Sequence, residues 1–394
     1  MRALAVATVV AVTSALAALG PGPAWAEEPA CTGGFIPGRP AALGALGIDA
    51  ANAVSTGRGV TVAVVDSGVV GGNEHFQGAL VDGYDFEGGD GRRDSGVQGT
   101  MVAGIVAARD LGSKSGVAGV APDAMIMPVR VYQPATSGET KYSSTAAASG
   151  IEWAIDHGAK VIVVALPLAS DPALLAAVHK AKHRALIVAM AGNTTQGAEH
   201  QMAYPAGYTD TNGLSVDSVP VVSVTAVDAG GLHQDSTVTG AHVELAAPGM
   251  NVRSAAGKGD CERATDKPDA TYATAYVAGV AALVAAAHPG EDPVDWKYRL
   301  LATASRPSSK FSTSYGWGVV APYEALNFTN DGSVAGPPNP RFDQPAKPPA
   351  AVGEMPAYAT DYTPQVWTVL IWALGALVVV VSGGLLVARL KQGR

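Results

Sequence analysis

Unbroken apolar runs alternate with helix-period runs along most of this chain. Gly59 to Asp66 (GVTVAVVD) is a run of β-branched residues closing on an acid, the pattern of a strand buried on both faces of a parallel sheet. Lys160–Leu166, Ala185–Met190, Pro220–Val227 and Val243–Gly249 read as further strands. Helix-like segments fall between and after them. Gly96–Ala107 is a loop entering a helix, and Ser143–His157 has an amphipathic helix pattern with Ile151, Trp153 and Ile155. Pro172–Arg184, Pro293–Ala304 and Ala321–Leu326 follow, with a small helical piece at Leu43–Val54. Asp269 to Ala287 (DATYATAYVAGVAALVAAA) runs from a short polar lead-in straight into a small-residue apolar helix. That shape places one side chain at a helix N-terminus, where free N–H groups and the dipole favour negative charge. The alternation predicts an α/β domain on a mostly parallel sheet.

The two ends carry a different pattern. Residues 1–26 open with Met1-Arg2, continue as an apolar run from Ala3 to Leu19 and close on Ala24-Trp25-Ala26. This is the form of a secretory signal peptide cleaved after Ala26; the alternative, a membrane anchor, fits a run this short poorly. Residues 27–58 form an exported arm and 59–328 the main domain. Thr329 to Pro364 is Pro-rich without periodicity and reads as a stalk, about 100 Å long at ~3.1 Å per residue if fully extended. Residues 365–388 hold an uncharged apolar run from Val366 to Ala388, long enough to cross a bilayer. Arg389, Lys391 and Arg394 follow it, which puts residues 389–394 in the cytoplasm and the domain outside. The predicted location is a cell membrane, crossed once.

Composition narrows the classes. Of 394 residues only 15% are charged, and the net charge is −8. No basic stretch points to nucleic acid, so that partner class is set aside. No clustered Cys, His, Asp or Glu spacing suggests a metal, and no motif calls for a cofactor. The two cysteines, Cys31 and Cys261, both lie in the exported part, where disulfides persist. One internal bridge, from the arm to the loop ahead of Asp269, is the favoured pairing; two free thiols or an intermolecular bond are the alternatives.

Four motifs carry candidate chemistry. Asp66-Ser67-Gly68 follows the first strand, at the end where open α/β sheets hold ligands. Gly96–Ala107 contains GVQGTMVAG, the third strand ends in Ala191-Gly192-Asn193, and Asp269 opens the apolar helix. Together they resemble the subtilisin-like serine proteases, or subtilases, whose motifs are D-[ST]-G, G-H-G-T-x-V-A-G, A-A-G-N and G-T-S-x-A-[TA]-P-x-V-A-G. Val120-Ala121-Pro122 and Tyr315-Gly316-Trp317-Gly318 add weaker matches. The resemblance covers about Val60 to Leu326 and implies a subtilisin-like three-layer domain with helices on both faces of the sheet. It also implies roles: Asp66 for the orienting acid, Gln98 at the position of the general base, Thr271 at that of the nucleophile, and Asn193 at that of the oxyanion donor.

The chain departs from the family where chemistry is done. Gln98 stands for His and Thr271 for Ser; Asp269 and Ala270 replace Gly-Thr, and Ala275 replaces Pro. An amide does not titrate near neutral pH and cannot take a proton. Catalytic threonines usually rely on their own N-terminal amine, which an internal Thr271 lacks. Val163, Ala165 and Pro167 replace the Asn, Ser and Gly of the edge that pairs with substrate, and proline has no N–H to donate. His75, His233 and His242 read as surface or packing histidines, with His75 the one candidate for a substitute base. Signal peptide, stalk, single span and basic tail also resemble the mycosins, membrane-anchored subtilases of type VII secretion systems. The resemblance implies a pseudoprotease serving as a structural or interaction subunit among type VII membrane-complex proteins. The alternatives are an endopeptidase of residual activity on exported proteins and a module that holds exported peptide segments without cutting them.

Overall fold

A computed structural model describes residues 31–342, apart from 32, 87, 136–139, 195–201, 210–218, 229, 307–309 and 335. The expected signal peptide, most of the stalk, the span at 365–388 and the basic tail lie outside the described residues. Two short helices, α1 (Ala41–Ala45) and α2 (Ile48–Asn52), open the domain. Gly47 separates them at φ +61°, so the single helical piece expected over Leu43–Val54 is broken there.

Seven strands form one sheet: β1 (Thr61–Asp66), β2 (Tyr84–Asp85), β3 (Met125–Arg130), β4 (Val161–Val164), β5 (Leu186–Met190), β6 (Val221–Val227) and β7 (Leu245–Pro248). Their spatial order is β2-β3-β1-β4-β5-β6-β7, and every pairing is parallel. Strand alternation explains why their sequences are apolar throughout. In β1, Val62 and Val64 enter one core while Ala63 and Val65 enter the other. Helices α3 (Gln98–Ala107) and α6 (Ala270–Ala287) fill the first core. Helices α4 (Ser144–Asp156) and α5 (Pro172–Ala181) cover the second. The result is the expected three layers.

Helix α6 is long and apolar enough to cross a membrane, yet 89% of it is buried in the fold. Its alanines and glycine let it lie close against β4 to β7; at Gly279, an added Cβ would come within 2.6 Å of the Val120 side chain. This is a core helix, and its small residues serve packing.

An antiparallel hairpin, β8 (Val252–Ala256) and β9 (Gly259–Arg263), stands apart from the main sheet. Cys261 therefore lies on a strand, where a loop was expected, and is bonded to Cys31. The hairpin packs on α3, with Ser254 Oγ donating to the Met101 carbonyl at 2.7 Å. Helices α7 (Pro293–Ala302) and α8 (Pro322–Asn327) close the domain. Arg341, in the Pro-rich stretch, grips Asp295 of α7 through Nε and Nη2 at 2.7 and 2.8 Å, so the described start of that stretch packs on the domain.

Candidate active-site cleft

Asp66 ends β1 beside the point where strand order reverses between β3 and β4. It is 1% exposed. Oδ1 accepts from the Ser67 N–H at 2.7 Å, the Ser67 hydroxyl at 3.1 Å and the Tyr132 hydroxyl at 3.3 Å. The chain then turns at Gly68, φ +101°, and passes so near α3 that a Cβ on Gly99 would meet the Gly68 carbonyl at 2.1 Å. These two glycines bring the first two motifs together.

Gln98 is the first residue of α3, after Val97 at φ +68°. A β-branched residue at positive φ is strained by about 1–3 kcal/mol. Gln98 Nε2 donates to Asp66 Oδ2 at 3.0 Å and to the Ala165 carbonyl at 3.2 Å. The amide thus makes the hydrogen bond to the acid that a triad's imidazole would make, and its donor is also tied to the substrate-edge position. Burial pushes the Asp66 carboxyl up to about 7 despite the bonds from Ser67 and Gln98, because a charged group inside the fold loses hydration that the bonds only partly replace.

Across the cleft, Asp269 caps α6. Its Oδ1 accepts from the Thr271 N–H at 2.8 Å and from Asn193 Nδ2 at 2.7 Å. Asn193 closes the loop by accepting the Ala270 N–H on its own Oδ1 at 2.9 Å. Thr271 is 6% exposed, and its hydroxyl has no hydrogen-bond partner among the described residues. Gln98, Ala165, Pro167, Asn193, Asp269 and Thr271 all line one cleft of about 730 Å³. Leu168, Met190, Met202 and Tyr204 give it an apolar wall. Burial, reinforced by the charges of Asp66 and Asp269, holds the Tyr142 phenol above its ordinary range.

Among the described residues no histidine lines this cleft. His75 is fully buried, with Nε2 2.9 Å from Asp260 Oδ1 and Nδ1 2.8 Å from the Arg109 carbonyl. Asp260 also accepts from the Ser115 hydroxyl and the Ile36 N–H. His75 is therefore a packing residue that ties the hairpin to the segment just after α3, with its ring against Phe35 of the arm. His233 bonds Thr237, and buried His242 lies against the Ala191 carbonyl. Among the described residues no group of three His, Cys, Asp or Glu side chains could hold a metal.

The model of the subtilase family matches residues 57–318. The chain belongs to the subtilase family. Among curated subtilases it is 33% identical to Mycosin-3 of Mycobacterium tuberculosis, across 77% of this chain and 76% of that protein. It is 34% identical to subtilisin DY of Bacillus licheniformis, across 67% and 89%. Solved relatives agree: MycP1 of Mycobacterium smegmatis superposes with a TM-score of 0.64 at 27% identity, covering 84% of this chain and 92% of that one. A chain in the intact ESX-5 inner membrane complex superposes with a TM-score of 0.63 at 26% identity, covering 88% and 90%. This subtilase is thus mycosin-like in sequence and structure, and three of the four motifs read from the sequence line one cleft through Gln98, Asn193, Asp269 and Thr271, with Asp66 bonded to Gln98.

No window of sequence shows Asp269 and Asn193 as partners. The only signal available was the replacement of glycine by an N-capping acid just before the nucleophile position.

Proposed function

We propose that this mycosin-like subtilase is a non-hydrolysing homologue, acting as a structural or interaction subunit of a type VII secretion membrane complex. The observation that carries the reading is Gln98: where a subtilase needs a proton acceptor, an amide donates to Asp66 and to Ala165. In subtilisin, loss of the serine or the histidine alone lowers kcat by about 10⁶, and loss of both costs little more. Here both are replaced, and among the described residues the Thr271 hydroxyl has no partner to activate it. The complex-forming half of the proposal is supported by the likeness to mycosins and to a chain of the ESX-5 inner membrane complex. The apolar run at Val366–Ala388, with its basic tail, would hold the domain on the outer side of the membrane after removal of residues 1–26.

The test pairs two measurements on the full-length protein purified from membranes. Casein hydrolysis and fluorophosphonate labelling should both be absent. Type VII membrane-complex proteins should copurify, and Asp66→Ala with Thr271→Ala should leave secretion intact. Labelling at Thr271, or secretion abolished by Thr271→Ala alone, would defeat the reading.

A further inference from the structure

Asp269 sits in the place a hydrolase reserves for its reaction's negative charge. The two donors converging on Oδ1, the Asn193 amide and the Thr271 N–H, are those whose positions correspond to a subtilase oxyanion hole. Such donors act by waiting, unsatisfied, for a charge that develops during reaction. Here a permanent carboxylate already satisfies them. A peptide carbonyl entering from the cleft would find no free donor and would meet the repulsion of a resident anion.

The polarity of the site is consequently reversed. Asp269 is partly exposed, and its second oxygen, Oδ2, has no donor among the described residues. Thr271, 6% exposed, adds a hydroxyl with no partner among the described residues. No lysine or arginine lines the cleft among the described residues, while Leu168, Met190, Met202 and Tyr204 form an apolar wall beside these oxygens. An aliphatic stem ending in a cation matches that combination, since such side chains bury the stem and keep the charged head on a polar partner.

We propose that this cleft binds the lysine or arginine side chain of an exported peptide segment, with Asp269 as the anionic partner, and excludes a peptide carbonyl from the oxyanion position. The proposal rests on the non-hydrolysing reading above and deepens it. Asp269 is the specificity-determining residue, Thr271 offers the head group an acceptor oxygen, and the segment is held uncut.

The test uses full-length protein in detergent and calorimetric titration with two peptides, acetyl-Ala-Ala-Pro-Lys-amide and its uncharged norleucine counterpart. The lysine peptide should bind at least about tenfold more tightly, with an advantage that shrinks as sodium chloride rises. Asp269→Asn preserves an N-capping side chain and should remove the advantage. Asp269→Gly should do the reverse and gain affinity for acetyl-Ala-Ala-Pro-Phe ending in a free carboxylate, which the parent ignores. Thermal melts confirm that both variants are folded. Equal binding of the two amides, binding of neither, or a lysine advantage that survives Asp269→Asn overturns the proposal. Mass spectrometry of the titrated peptides keeps the two ideas apart: cleavage would defeat the non-hydrolysing function, whereas the preference between peptides judges the cation site.

Discussion

Gln98 and Asp66 are joined by a 3.0 Å hydrogen bond in which the amide nitrogen is the donor. The geometry keeps the link between second and first triad positions while removing the proton transfer the link exists to support. It also leaves the acid buried with no cation beside it among the described residues, and this has a measurable consequence.

The Asp66 carboxyl titrates near 7 in the fold, against an ordinary value of 3.8. Between those values the unfolded chain is ionised and the folded chain is not, so the stability Asp66 contributes is full below about pH 4 and is lost as pH rises toward 7. Asp66→Asn cannot titrate. Its melting temperature relative to the parent should rise between pH 5 and pH 8; a difference that stays constant over that range would contradict the assignment.

Rebuilding the triad should fail while Asp269 remains. Gln98→His with Thr271→Ser supplies a base and a nucleophile but leaves Asn193 and the residue-271 N–H occupied. Adding Asp269→Gly should raise the rate on a chromogenic peptide by a further ~10²–10³, the usual worth of an oxyanion donor. A double variant as active as the triple would show that Asp269 leaves the hole when substrate arrives.

Asp260 gives the opposite pH dependence. Burial works to raise its pKa, but His75, Ser115 and the Ile36 N–H outweigh burial and hold the carboxyl below its ordinary value. Its contribution is present above the ordinary carboxylate range and is lost as pH falls through the depressed folded value. Asp260→Asn weakens the buried hydrogen bonds from His75, Ser115 and Ile36 and should cost about 1–3 kcal/mol at neutral pH, and less in acid. Denaturant titrations at pH 7 and pH 3 measure both.

Gly99 should tolerate no side chain. A Cβ there would stand 2.1 Å from the Gly68 carbonyl, so Gly99→Ala must push α3 away from the Asp66 turn. Denaturant melts should show a loss of ~1–3 kcal/mol, as for other overpacked cores.

Much of this was legible beforehand because local pattern and tertiary role coincide. The β-branched run ending at Asp66, the glycine frame around Gln98 and the small-residue helix after Asp269 each declare a neighbourhood as well as an element. What escaped notice depended on distance along the chain. Asn193 and Asp269 are 76 positions apart, and His75 and Asp260 are 185 apart, so no window shows them as partners. The hairpin is unmarked for a different reason: VRSAA and GDCER hold one β-branched residue, Val252, where β1, β4 and β6 of the main sheet carry runs of them. The helix-like pattern over Leu43–Val54 does not show that Gly47, at φ +61°, separates two short helices.

The bond between Cys31 and Cys261 encloses a separation of 230 residues, and all seven strands of the parallel sheet are encoded before its second half. During synthesis it cannot close until the last of those strands has been made. It therefore cannot act until every strand of that sheet is present, while α6, α7 and α8 are still to come. A chain that never oxidises should reach the same topology at a similar speed and come apart sooner.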